Sequence, residues 1–208
     1  MRWRMRTVAA LAVLSAAGGM AQAADAPWRT VTLADGTVID VPAVSATILP
    51  KTLGPPRGVS SLMSWGAATA REKLACSLAR MAYPADKPYA AVSTLFASQT
   101  PDVFCPSPQP GQTEFAIVRS GPLRVQGMAA RTCAAVYRDP GDLMPGHVNR
   151  TLVIAAPGYI YRLECQITAA DLATAKDGYY DEFENSVDHI EGSLRLPAHG
   201  GAGTGRRK

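Results

Sequence analysis

Three histidines, four cysteines and a run of carboxylates are the residues of this 208-residue chain whose types could do chemistry. His147, His189 and His199 show no H-x-x-x-H spacing, and Cys76, Cys105, Cys133 and Cys165 include no C-x-x-C pair, so the patterns that hold zinc are missing. A serine nucleophile on a strained elbow needs G-x-S-x-G, and Ser120-Gly121 lacks the preceding glycine. Asp177, Asp181, Glu182 and Glu184 could be paired for glycosidase work, yet they form a charged run at the front of a helix, where acid complements the helix dipole. No glycine-rich phosphate loop occurs, and neither a cofactor nor a metal is expected.

What is left is recognition. His147, in the loop that starts at Asp139 and contains Asp142, is a candidate contact residue because loops on rigid sheets carry functional groups. His189, next to Asp188 on a predicted helix, reads first as a surface or half-buried helix residue. Trp28, Trp65, Tyr159, Tyr161, Tyr179 and Tyr180 supply aromatic surface of the kind interfaces use. Tyr179 and Tyr180 are neighbours on a helix and cannot both face a sheet, so Tyr179 is the exposed one. The loops Leu49 to Gly58 and Asp139 to Val148 are the expected contact surfaces.

The elements that must position these residues follow an export signal. Arg2, Arg4 and Arg6 precede an apolar stretch from Val8 to Ala17, and Ala21-Gln22-Ala23 fits the A-x-A cleavage rule. Residues 1–23 are therefore expected to be a Sec signal peptide, 24–197 a single globular domain and 198–208 a disordered glycine-rich basic tail. The apolar stretch is shorter than the roughly 20 residues a spanning helix needs, so no membrane anchor is expected after cleavage. Arg206, Arg207 and Lys208 lie in the tail; without those and the three leader arginines, 15 basic residues face 17 acidic ones. A near-neutral body offers no electrostatic footprint for nucleic acid. An exported chain with an even cysteine count is expected to form two disulfides in a periplasmic or secreted setting. Of three connectivities, sequence order favours Cys76 with Cys105 and Cys133 with Cys165, each closing a loop of about 30 residues worth about 3 to 4 kcal/mol by loop entropy.

Along the mature chain, Trp28 to Leu33, Ala34-Asp35-Gly36 and Thr37 to Val41 read as a hairpin with an Asp-Gly turn. Ala67 to Ala82 has helical composition, with Ala67, Ala70, Leu74, Leu78 and Met81 on one stripe and Cys76 pointing away from it. A shorter helix is expected from Tyr89 to Ser98. Phe115 to Val118, Leu123 to Met128, Arg131 to Arg138, Thr151 to Ala156 and Tyr159 to Ile167 follow as an antiparallel meander. In the last of these Tyr159, Tyr161, Leu163, Cys165 and Ile167 share a face that should be buried. Tyr180, Phe183, Val187, Ile190 and Leu194 then form an apolar stripe at helical spacing, which should lie on the sheet. The fold class is α+β: an antiparallel sheet of about five to seven strands, packed by a C-terminal helix and one or two earlier helices and braced by two disulfides.

The hairpin Val31-Thr32-Leu33-Ala34-Asp35-Gly36, the closing strand pair and the terminal helix Phe183 to Leu194 running into Arg195-Leu196-Pro197 resemble small exported α+β domains of the PsbP/Mog1 type over about half the chain. The resemblance implies a binding or assembly role without fixed catalytic residues. Together these readings point to a non-enzymatic periplasmic binding or accessory protein: an envelope assembly factor, an inhibitor or an immunity protein with a protein partner. The rivals are a small hydrolase using a histidine and a carboxylate, and a carrier for a small apolar ligand with a cavity between sheet and terminal helix.

Overall fold

The computed structural model describes residues 28–48, 59–68, 72–83, 86–98, 104–105, 107, 113–138, 147–169 and 181–197. The expected leader, the loop 49–58, Asp142, Asp177, Tyr179, Tyr180, His199 and the basic tail lie outside the described residues, as do the side chains of Asp181, Glu182, Phe183 and Glu184.

The chain opens with the expected hairpin, β1 (Trp28–Thr32) and β2 (Val38–Pro42), paired Val31 to Ile39 as a separate two-stranded sheet. Gly36 takes φ 87°, which only glycine adopts without strain, and Asp35 Oδ1 accepts the Thr37 N–H at 3.0 Å to close the turn. β3 (Ala46–Ile48), β4 (Val59–Ala68), β5 (Glu72–Ala82), β6 (Thr113–Val125), β7 (Met128–Arg138), β8 (His147–Ala156) and β9 (Tyr159–Ala169) form a seven-stranded antiparallel sheet in the order β3-β4-β5-β9-β8-β7-β6. The last four strands form an antiparallel meander where the sequence reads as five shorter strands. α1 (Tyr89–Ser98) and α2 (Asp181–Ser193) pack on its two faces, and neither is long and apolar enough to cross a membrane.

Three expectations are corrected. Among the described residues no helix runs from Ala67 to Ala82: Ala67 and Ala68 end β4, and Glu72 to Ala82 form β5. From Lys73 to Leu78 burial alternates with period two, with Leu74, Cys76 and Leu78 inward, and β5 finds ladder partners on both sides, β4 and β9. Phe115 to Val118 and Leu123 to Val125 are not two strands but parts of one edge strand, β6, with Met128 already in β7; β6 tolerates Pro122 because it is unpaired on its outer side among the described strands. Its turn into β7 is the two-residue Gln126-Gly127, both at positive φ. The disulfides join Cys76 to Cys165 and Cys105 to Cys133, because Cys76 and Cys165 are direct cross-strand partners in β5 and β9.

The main core lies under α2. Val187, Ile190 and Leu194, each at most 1% exposed, pack with Leu74, Leu78, Leu152, Ile154, Leu163 and Ile167 of the sheet and with Ile39 and Val41 of the hairpin. Burying such a side chain contributes about 2 kcal/mol. On the opposite face Phe96 of α1 packs on Val153 and Ala155. Arg131 of β7 caps that helix, donating from Nε to Phe96 O at 3.1 Å and from Nη2 to Ala97 O at 2.7 Å.

Candidate recognition surface

At the end of the sheet where β5 stops and β8 turns into β9, an open cleft of about 370 Å³ is lined by Ala82, Tyr83, Lys87, Tyr89, Pro157, Gly158 and Tyr159. Its walls are fixed from two directions. Ala82 pairs with Tyr159 in the β5–β9 ladder, and the Cys76–Cys165 bond ties the same two strands together. Gly158 sits at φ 82° in the Pro157-Gly158 turn, and its N–H donates to the Tyr83 phenol oxygen at 2.6 Å. The Arg80 guanidinium lies 4.7 Å above the Tyr159 ring, while Tyr161 meets that ring edge-on at 6.3 Å. These contacts hold Tyr83 and Tyr159 in place. Tyr89 is the first residue of α1, held over the sheet by Phe96.

The Arg80 head group is itself anchored by Asp35 Oδ2 at 2.9 Å, in the hairpin turn. Tyr161, buried below, has its phenol pushed up by burial and by the Asp35 charge, with Arg80 opposing. It stays neutral and can donate toward Asp35 Oδ2 at 3.4 Å.

Two of the three histidines, His147 and His189, lie among the described residues. His147 is not in a loop: it is the first residue of β8, paired with Tyr137 and Thr168, and buried. The Gln166 side-chain amide nitrogen lies 2.9 Å from its Nδ1, and the Thr168 hydroxyl lies 3.0 Å from the same nitrogen. Along the same face Asn149 Nδ2 donates to Glu164 Oε1 at 2.9 Å, and Thr151 donates to Asn149 Oδ1 at 3.1 Å. These bonds satisfy polar groups that would be costly to bury unpaired. His189 lies on α2, stacked on Trp28 with ring centroids 4.0 Å apart, its Nε2 3.2 Å from Asp40 Oδ2. Asp40 also accepts from Thr30 Oγ1 at 2.7 Å, and its N–H donates to Ser193 Oγ at 3.0 Å, so this cluster pins the hairpin to α2 on open surface.

Of the aromatic residues singled out from the sequence, Trp65 and Tyr161 are core, Trp28 is exposed and Tyr159 lines the cleft. Tyr83, Lys87 and Tyr89 were not singled out. The signal for them is the run Tyr83-Pro84-Ala85-Asp86-Lys87-Pro88-Tyr89, two tyrosines and a lysine among prolines where a strand hands over to a helix.

No protein-family model matches the sequence, and no curated protein does. Solved structures do resemble it. The cyanobacterial PsbP protein (CyanoP) of Synechocystis sp. PCC 6803 is similar over 88% of this chain and 99% of its own, at 14% identity and a TM-score of 0.49. The Ran-binding protein Mog1p of Saccharomyces cerevisiae is similar over 82% of this chain and 95% of its own, at 12% identity and a TM-score of 0.44. LpqN of Mycobacterium tuberculosis, described as involved in cell envelope biogenesis, is similar over 82% and 91%, at 16% identity and a TM-score of 0.42. The weak resemblance to PsbP- and Mog1-type domains is thus present, as a likeness of fold.

Proposed function

We propose that this chain is a non-enzymatic recognition protein of the cell envelope, exported by its leader and acting as a binding or accessory factor for another protein. The observation that carries this reading is the open, prefixed cleft of Tyr83, Tyr89 and Tyr159 with Lys87 on its wall. Rigid aromatic side chains give large contact area at small entropic cost. The hydrolase reading needs a histidine beside a buried acid in a cleft. His189 and Asp40 do form a pair, but on open surface with 43% and 25% of their side chains exposed, and they dock the hairpin. The carrier reading needs space under the terminal helix, and Val187, Ile190 and Leu194 fill it.

The test is affinity capture from an envelope fraction, using residues 24–208 with disulfides intact and a Tyr83→Ala/Tyr159→Ala variant checked for its fold by circular dichroism. A single stoichiometric protein, retained by the parent and lost from the variant, is the expected result. Turnover of an ester, peptide or glycoside substrate that disappears in His189→Ala would overturn it.

A further inference from the structure

The two disulfides stand in different surroundings. Cys76 and Cys165 face each other across β5 and β9, which are flanked in turn by β4 and β8, and both belong to the main core beneath α2. A thiol reaches that bond only after the centre of the sheet opens. Cys133 lies on β7 opposite Thr151, on the face of the sheet that carries Val153 and α1, and its partner Cys105 is in a turn outside the described strands and helices.

What Cys105 anchors has little else to hold it. α1 has ten residues and no charged side chain, where an isolated helix needs roughly 12–15 residues to persist, and Phe96 is its one buried residue. Phe96 rests on Val153 and Ala155 and meets the Phe104 ring with centroids 4.2 Å apart. The Arg131 guanidinium that caps α1 through the Phe96 and Ala97 carbonyls also lies 5.7 Å from the centre of the Phe104 ring. Phe104 therefore joins α1 to its cap, and Cys105, the next residue, ties Phe104 to β7. The connection that carries α1 is pinned at Ala82 by the β5–β9 ladder and at Cys105 by the disulfide. Opening the second pin leaves a short, uncharged helix on a satellite core.

We infer that Cys105–Cys133 is a thiol-sensitive fastener: its reduction, with Cys76–Cys165 intact, frees α1 from the sheet and uncovers Val153 and Ala155. The thiolate of a dithiol reductant attacks Cys105, the more accessible of the two at 8% against 1% exposed, and Cys133 leaves as a thiolate that takes up a proton. The reductant's second thiol gives up its proton and closes on the mixed disulfide, releasing Cys105 as a thiol, so two electrons and two protons pass to the protein. Lys87 and Tyr89 line the cleft and stand at the start of the freed segment, so release removes one wall of the cleft whatever the cleft binds.

The experiment exposes oxidised residues 24–208 to dithiothreitol without denaturant, quenches aliquots with iodoacetamide and maps the labelled cysteines by peptide mass spectrometry. Cys105 and Cys133 should be labelled together, about tenfold or more ahead of Cys76 and Cys165. In the half-reduced protein, hydrogen exchange should quicken at 89–98 and stay slow at 161–167 and 187–194. Cys105→Ala/Cys133→Ala should show the same exchange pattern without reductant. Arg131→Met, which uncaps α1, should speed reduction of Cys105–Cys133 by about fivefold and leave Cys76–Cys165 unchanged. Equal labelling rates, or earlier opening of Cys76–Cys165, overturn the inference. So does a half-reduced protein whose 89–98 amides keep their protection, because the bond then fastens nothing. Loss of protection at 187–194 as well overturns it too, because α1 is then not a separable unit.

Discussion

Arg150 stands in the middle of β8 with 1% of its side chain exposed, facing α2 rather than solvent, and donates to Asp188 at 2.7 Å and Glu191 at 3.0 Å. Burial pulls its pKa down, but Glu191 and Asp188 more than offset that, so the guanidinium stays charged. Burial also holds the Glu191 carboxyl above the usual carboxylate range, with Arg150 opposing. Removing the cation alone leaves a buried acid without its partner, which costs about 3 kcal/mol or more. Arg150→Met should therefore lower the unfolding free energy by about 3 kcal/mol near pH 7, read by urea denaturation. The pH dependence follows from the sign of the Glu191 shift. A carboxyl whose folded pKa is raised binds its proton more tightly in the folded state, so stability is present below that pKa and lost as pH rises through it. With Arg150 gone the upward shift grows, and the deficit of the variant relative to the parent should narrow between about pH 7 and about pH 5. A deficit that is constant or wider at the lower pH would show that Glu191 is not the group left stranded. Neither Arg150 nor the cleft residues Tyr83 and Tyr89 announce themselves in the sequence. Arg150 follows Val148-Asn149 where a polar loop seemed to continue, and the two tyrosines flank prolines in a linker, whereas Tyr159 opens an alternating strand and could be read at once.

The strands show how far local pattern reaches. β9 was legible because Tyr161, Leu163, Cys165 and Ile167 alternate with polar residues and are β-formers, and the hairpin because Asp35-Gly36 fixes its turn. β5 was not, because Glu72-Lys73-Leu74-Ala75 and Leu78-Ala79-Arg80-Met81 are strong helix formers and the spacing of Leu74 and Leu78 satisfies both periods. Non-local pairing with β4 and β9 overrides that propensity. The same misreading hid the disulfides: on a helix Cys76 looked outward to a neighbour in sequence, while on β5 it faces Cys165 directly, 89 residues away, and Cys105–Cys133 spans only 28. Loop entropy then ranks the two bonds, about 4.5 against about 3.5 kcal/mol. Cys76→Ala/Cys165→Ala should accordingly lose more stability than Cys105→Ala/Cys133→Ala, by about 1 kcal/mol from loop entropy alone. Urea midpoints at matched m-values measure this, and the reverse order would mean that anchoring the Cys105 segment over the α1 face matters more than closing the central ladder.

At the scale of the whole molecule the two bonds together amount to about 8 kcal/mol, which is comparable with the entire net stability of an ordinary domain, about 5 to 15 kcal/mol. The sheet has a core on both faces, so the reduced chain should not be without structure, but its margin should be small. Each bond also ties together separate parts of the chain: β5 with β9, the two strands whose far ends reach the cleft at Ala82 and Tyr159, and β7 with the segment at Cys105. The protein should therefore depend on the compartment to which its leader is expected to send it. Produced with residues 1–23, it should be recovered with all four thiols blocked to maleimide and resistant to brief thermolysin digestion. Produced in a reducing cytosol without them, it should show four reactive thiols and be digested. Reductant added to the oxidised protein should lower its urea midpoint by most of its value once thiol counting confirms that both bonds are open. A reduced protein with an unchanged midpoint would show that burial alone carries the fold, and the cleft strands would then owe their rigidity to the Leu78, Leu152 and Leu163 packing beneath α2 rather than to the Cys76–Cys165 staple.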